Sequence, residues 1–189
     1  MPRLYLIRHG KPSATWGGHD DDPGLDATGQ AQADAARDWL LSRPEEERPT
    51  QVVSSPLRRC QETAAPTAQA LGVSLEIDPR VGEIPTPGAL SAEARPGWLQ
   101  KAFQGTWAGI EGDLDYDAWR ADIVASLVAR GNTAVFSHYV AINGAVSKLL
   151  GDDRVLAFRP DHTSITILET DGETLTLIAK GGEASTSVL

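Results

Sequence analysis

A single cysteine, a single methionine and the want of any long apolar run are the first features of this chain. Cys60 stands alone among 189 residues, so no internal disulfide and no cysteine-based zinc site can form. A reducing, cytoplasmic compartment is the expectation. No apolar stretch approaches the ~18 residues of a membrane span. The opening Met1-Pro2-Arg3-Leu4-Tyr5-Leu6-Ile7-Arg8 is too short and too charged for a signal peptide and reads as a buried strand. Positive charge is scarce as well: 17 Lys and Arg against 26 Asp and Glu leave a net charge of −9. That balance offers no basic face for nucleic acid, and a bound anion needs a local cluster of donors working against the overall field. There is no Gly-Lys-Ser/Thr phosphate loop. Cysteine-phosphatase chemistry needs an arginine six residues after the nucleophile, and that position holds Pro66, so Cys60 reads as a packed helix residue. Asp113-Leu114-Asp115-Tyr116-Asp117 fails as a calcium loop, with Ala118 at its sixth position and Val124 at its twelfth. No metal site is expected.

What is present is an alternation of strand and helix signals. Leu4–Ile7, Gln51–Ser54, Val73–Ile77 and Thr133–Ser137 are short apolar strands. Between them lie helical stretches from Leu25 to Leu41 with Asp26 as N-cap, from Ser55-Pro56 to Leu71-Gly72, from Asp117 to Arg130, and from Val140 to Leu150. Ser164–Leu168 and Thr174–Ile178 flank Asp171-Gly172, a hairpin signal. The pattern predicts one α/β domain over 1–189, a three-layer α/β/α sandwich whose central sheet is mostly parallel but mixed. An irregular segment at about 78–117, with four prolines and Trp98 and Trp107, is the natural pocket wall.

Such folds bind ligands at the C-terminal ends of their strands. Arg8-His9-Gly10 follows the first strand, Ser54-Ser55-Pro56-Leu57-Arg58-Arg59 the second, Glu83 the third and Ser137-His138 the fourth. Two histidines, two or three arginines and a glutamate thus converge on one sheet edge. A neutral imidazole can attack phosphorus without first losing a proton. Arg8 offers a planar fork for phosphate oxygens, and Gly10 permits close backbone approach. Arg58, in the first turn of a helix whose N-terminus favours anions, adds a second fork. His138 and the backbone N–H of Tyr139 are further donors. Glu83 can protonate a leaving alkoxide and then activate water. His162 beside Asp161 reads as a surface or cap pair, and His19 with Asp20-Asp21-Asp22 as a solvated loop.

Four ordered blocks resemble the histidine phosphatase superfamily, which includes the cofactor-dependent phosphoglycerate mutases. They are Leu6–Gly10, Asp22–Ala33, Ser54–Ala64 and Val135–His138, with a weaker fifth at Gly82–Gly88. The resemblance implies His9 as a nucleophile that becomes phosphohistidine. It implies Arg8, Arg58 and His138 as phosphoryl ligands, Glu83 as proton donor and then base, and no cofactor or metal. Two departures stand out. Tyr139 replaces the glycine common after the second histidine, and the first-loop asparagine is missing, with Thr15 or Ser13 as its substitute.

The leading expectation is a phosphomonoester hydrolase acting on a small phosphorylated metabolite, without nucleic-acid or membrane partners. Phosphoglycerate-mutase-type transfer ranks second, because no basic Glu-Arg-His-Tyr-Gly-like segment for a substrate carboxylate is present. A non-catalytic phosphate-binding module ranks third.

Overall fold

The computed structural model describes residues 1–14 and 20–185. Its strands are β1 Arg3–Arg8, β2 Gln51–Ser54, β3 Leu75–Ile77, β4 Thr133–Ser137, β5 Ile165–Thr170 and β6 Leu175–Ala179. They form one sheet in the order β3-β2-β4-β1-β5-β6. β3, β2, β4 and β1 run parallel, whereas β5 and β6 add in antiparallel fashion. The helices are α1 Ala27–Leu41, α2 Arg58–Leu71, α3 Arg95–Phe103, α4 Tyr116–Val128 and α5 Tyr139–Leu150. The expected mixed α/β architecture is the one observed.

Strand alternation explains the layers. Leu4 and Leu6 of β1 enter a cluster with Ile123 and Leu127 of α4 and with Ile142 and Val146 of α5. Tyr5 and Ile7, pointing the other way, pack with Leu40 of α1 and with Cys60, Ala64 and Ala68 of α2. A strand covered on both faces needs an unbroken apolar run, which is why β1 reads that way in the sequence. A third cluster joins Ile84, Leu99, Trp107, Tyr116, Tyr139 and Val155 beyond the sheet edge. It secures the irregular segment, with the Trp107 indole donating to Ser147 Oγ at 2.8 Å. Trp98 donates to the Glu111 carbonyl at 2.6 Å.

Two helix starts are instructive. Asp26 caps α1 as expected, accepting from Gly29 N at 2.7 Å. Ser55 does not cap α2, which begins later, at Arg58. The Ser55 backbone N–H is held by the sheet through Phe136 O at 3.0 Å, and its hydroxyl is taken by His138. The first turn is instead met from afar, because Asp22 Oδ1 accepts from Arg58 N at 2.8 Å. Gly10 also departs from expectation. A Cβ there would lie 2.7 Å from Gly29 O, so this glycine lets the β1 loop rest on the backbone of α1 rather than serving a ligand.

Asn143, fully buried in α5, ties the chain after that helix to the helix itself. Its Oδ1 accepts from Ala157 N at 2.8 Å and Phe158 N at 3.1 Å, while its amide donates to Tyr139 O at 3.0 Å. Asn143→Ala strands the buried Phe158 N–H and the half-buried Ala157 N–H and is expected to destabilise the fold by about 2 kcal/mol. A shift of the urea midpoint at unchanged m checks it.

Candidate active site

β1 ends in Arg8, and His9 follows it directly. The His9 backbone N–H donates to Ser137 O at 3.0 Å, which joins the loop to the end of β4. Its ring Nδ1 lies 2.8 Å from Gly10 O. A carbonyl only accepts, so the ring proton sits on Nδ1 and Nε2 keeps its lone pair. Burial, then His138, Arg59 and Arg8, hold His9 well below the usual histidine range, so the ring is neutral at pH 7.

The Arg8 guanidinium is 6% exposed. Its Nη1 donates to Pro160 O at 3.0 Å, and its carbon lies 5.2 Å from the Tyr139 ring centroid. Among the described residues its buried Nε has no partner. Burial lowers Arg8 to about 10, which leaves it charged at neutral pH. A buried cation with an unused donor is the signature of a site for an anion.

Arg58 does not join this group. Its side chain is 62% exposed and its Nε pairs with Glu62 Oε1 at 2.7 Å. Its neighbour Arg59 is the arginine that turns inward, with a side chain 5% exposed and Nη2 donating to Glu83 Oε2 at 3.4 Å. Helix register decides the matter: the buried positions of α2 are Arg59, Cys60, Thr63, Ala64, Thr67 and Ala68, a stripe that excludes Arg58. The sequence carried a signal for this, since Arg58 and Glu62 stand four apart as an exposed helical ion pair. The α2 N-terminus is likewise no open anion site, because Asp22 occupies it.

Glu83 arrives on a short loop after β3. Asp78 accepts from Arg80 N and caps the turn over Pro79–Val81, and Ser137 Oγ donates to Val81 O at 2.7 Å, tying that turn to β4. Glu83 Oε2 lies 3.3 Å from His138 Nδ1. Burial raises the Glu83 carboxyl, but His138 and Arg59 outweigh it and hold the group down at about 2. With Glu83 ionised, His138 carries its proton on Nδ1 and its Nε2 accepts from Ser55 Oγ at 2.7 Å. His138 is fully buried, and burial lowers it. It stands edge-on to His9, ring centroids 5.3 Å apart, and braces Glu83 and Arg59 from behind instead of lining the cleft.

The cleft in front of His9 has a volume of about 770 Å³. Arg8, His9, Arg59 and Glu83 form its floor, and Ile84, Leu99, Phe103 and Tyr139 an apolar wall. The Tyr139 ring lies 5.7 Å from that of Phe103, so the residue that replaces glycine narrows the mouth; as the first residue of α5 its backbone N–H is free of intrahelical bonding. Ser13 lines the cleft, whereas Thr15 lies outside the described residues. His162, expected on the surface, also lines the cleft, with its ring centroid 5.9 Å from that of His9. Cys60 is fully buried at 3.4 Å from His138 Nε2; burial pushes its thiol up, which makes it unreactive.

No helix among the described residues is long and apolar enough to cross a membrane. A probable phosphoglycerate mutase of Escherichia fergusonii is 30% identical over 171 residues, covering 80% of this chain and 76% of that protein. The glucosyl-3-phosphoglycerate phosphatase of Mycobacterium tuberculosis is 32% identical over 139 residues, 67% of this chain and 60% of that protein. The chain spans only 38% of the length of another M. tuberculosis relative, 39% identical over 80 residues. Among solved structures, mycobacterial glucosyl-3-phosphoglycerate phosphatase superposes with a TM-score of 0.73 at 23% identity, over 97% of this chain and all (100%) of the other. The phosphoserine phosphatase of Entamoeba histolytica gives 0.72 at 22% identity, over 96% of this chain and 98% of the other. The family described as the histidine phosphatase superfamily (branch 1) matches residues 4–181, and the chain belongs to that superfamily.

Proposed function

We propose that the protein is a phosphomonoester hydrolase that works through a phosphohistidine at His9 and needs no metal. One observation carries the reading: a neutral imidazole, its proton fixed on Nδ1 by Gly10 O, faces a cleft floored by two buried guanidinium groups. Arg8 and Arg59 hold the phosphoryl oxygens and balance charge as the transition state develops. His9 Nε2 attacks phosphorus, the ester P–O bond breaks, and the alkoxide takes a proton from Glu83. Water then attacks the phosphohistidine, gives its proton to Glu83, and the N–P bond breaks to release inorganic phosphate. His138 keeps Glu83 and Arg59 in register with His9. The segment at about 78–117 sets specificity, since it supplies the apolar wall for a small phosphorylated substrate. Mutase-type transfer is the second reading, favoured by the likeness to a probable phosphoglycerate mutase.

Glu83 is held as a carboxylate by His138 and Arg59 yet must carry a proton for the first step. A phosphate dianion between the guanidinium groups takes up part of the positive field that holds Glu83 down, so the group rises on binding.

The chemistry is tested by turnover of p-nitrophenyl phosphate in EDTA. Wild type is expected to remain active and to give an acid-labile phosphoenzyme, while His9→Ala loses more than about 10³-fold in kcat; unaltered activity of that variant excludes the nucleophile. Arg59→Ala is expected to lose about 10²- to 10³-fold, and Arg58→Ala less than about threefold. Near pH 6 inorganic phosphate is mainly the monoanion, so binding it as the dianion releases close to one proton; calorimetry in buffers of different ionisation enthalpy should show that release offset by uptake at Glu83 in wild type and uncompensated in Glu83→Gln. Added bisphosphoglycerate with 3-phosphoglycerate separates hydrolase from mutase.

A further inference from the structure

The loop after Phe158 is bound to the nucleophile strand on both sides. Arg8 N donates to Ser164 O at 3.4 Å, Thr163 N donates to Arg8 O at 3.0 Å, and Arg8 Nη1 donates to Pro160 O at 3.0 Å. Asp161 N donates to Gly182 O at 2.9 Å, fixing the other edge. Within this frame Thr163 has φ 53°, the one left-handed non-glycine residue among those described. A β-branched residue is costly there, by about 1–3 kcal/mol, and such strain persists where the surroundings over-determine it. Its effect here is to place His162 at the cleft, beside His9.

His162 is built unlike a surface histidine. Its side chain is 24% exposed. Asp161 Oδ1 is 3.9 Å from Nδ1, beyond hydrogen-bond reach, and among the described residues no group hydrogen-bonds the ring. Burial, and then the Arg8 charge, hold it at about 4, so it is a neutral imidazole with a free N–H at working pH. His138, by contrast, has its ring nitrogens engaged by Glu83 and Ser55 and no exposed surface. Of the described imidazoles near His9, the one open to the cleft is His162.

Resting on the reading of His9 as nucleophile, we infer that His162 is a further catalytic residue, whose imidazole N–H donates to an oxygen of the phosphoryl group carried by His9. With ring centroids 5.9 Å apart and both rings lining one cleft, a phosphoryl group carried on His9 lies next to this donor. A neutral donor adds stabilisation of the transferring oxygens without adding charge that would compete with Arg8.

The test is steady-state turnover of p-nitrophenyl phosphate by wild type, His9→Ala, His162→Ala and His162→Asn, with inorganic phosphate as competitive inhibitor and thermal unfolding as the folding check. His162→Ala is expected to lose roughly 10- to 100-fold in kcat, with phosphate inhibition weakened at least about tenfold. His162→Asn, which keeps an N–H donor, recovers most of both. If His162→Ala fails to fold, His162→Asn and His162→Gln decide: loss of phosphate inhibition only in a variant whose amide cannot reach supports the role. The inference is overturned if His162→Ala stays within twofold of wild type while His9→Ala is inactive. It is also overturned if kcat falls with phosphate inhibition unchanged. Full activity of His9→Ala would remove the underlying reading instead.

Discussion

Two guanidinium groups, Arg8 and Arg59, are buried at the C-terminal edge of the sheet, and the rest of the site is arranged around that burden. Cations removed from water need anionic or carbonyl partners, and here these are supplied only in part. Arg59 has Glu83, held at 3.4 Å and braced by His138. Arg8 has a single carbonyl and an aromatic face, and among the described residues its Nε has no partner. The shortfall leaves positive charge at the floor of the cleft incompletely balanced. It exists in a chain whose overall charge is −9, so attraction must be local and short in range. Burial, helped by the same positive field, keeps His9 neutral, and that field together with His138 keeps Glu83 ionised.

Much of this was legible from residue order. The alternation of apolar strands and helices, with an Asp-Gly hairpin near the end, specified a mixed sheet, because period-2 burial on two faces leaves a distinct pattern. The rule that ligands gather at strand C-termini then brought Arg8, His9, Glu83 and His138 to one edge. What escaped was local register. Choosing between Arg58 and Arg59 requires knowing which stripe of α2 faces the sheet, and a shift of one residue turns a side chain by a large fraction of a helical turn. Ser55 looked like a cap because its two tertiary partners, Phe136 O and His138, are distant in sequence. His162 escaped because its placement comes from a left-handed Thr163, a conformation that no propensity scale assigns to a β-branched residue.

The apolar wall and the polar floor of the cleft come from different parts of the fold. Ile84, Leu99, Phe103 and Tyr139 bound the space in front of His9, and of these Ile84 also donates its backbone N–H to Glu83 Oε1 at 3.0 Å. Ile84, Leu99 and Phe103 belong to the irregular segment at about 78–117, held by its own cluster around Trp107, whereas Tyr139 opens α5 at the end of β4. Changes in that segment can alter the shape of the cleft while the strand-end residues stay in place.

The contact between Gly10 and Gly29 has a mechanical side. Main chain meets main chain there, and a Cβ on Gly29 would collide with the Lys11 carbonyl. The first helix is therefore a rigid stop behind the His9 loop, with no compressible side chain between them at this point. The loop has no room to shift on that side, so any give must come from the opposite bank, where the cleft is walled by longer and softer groups.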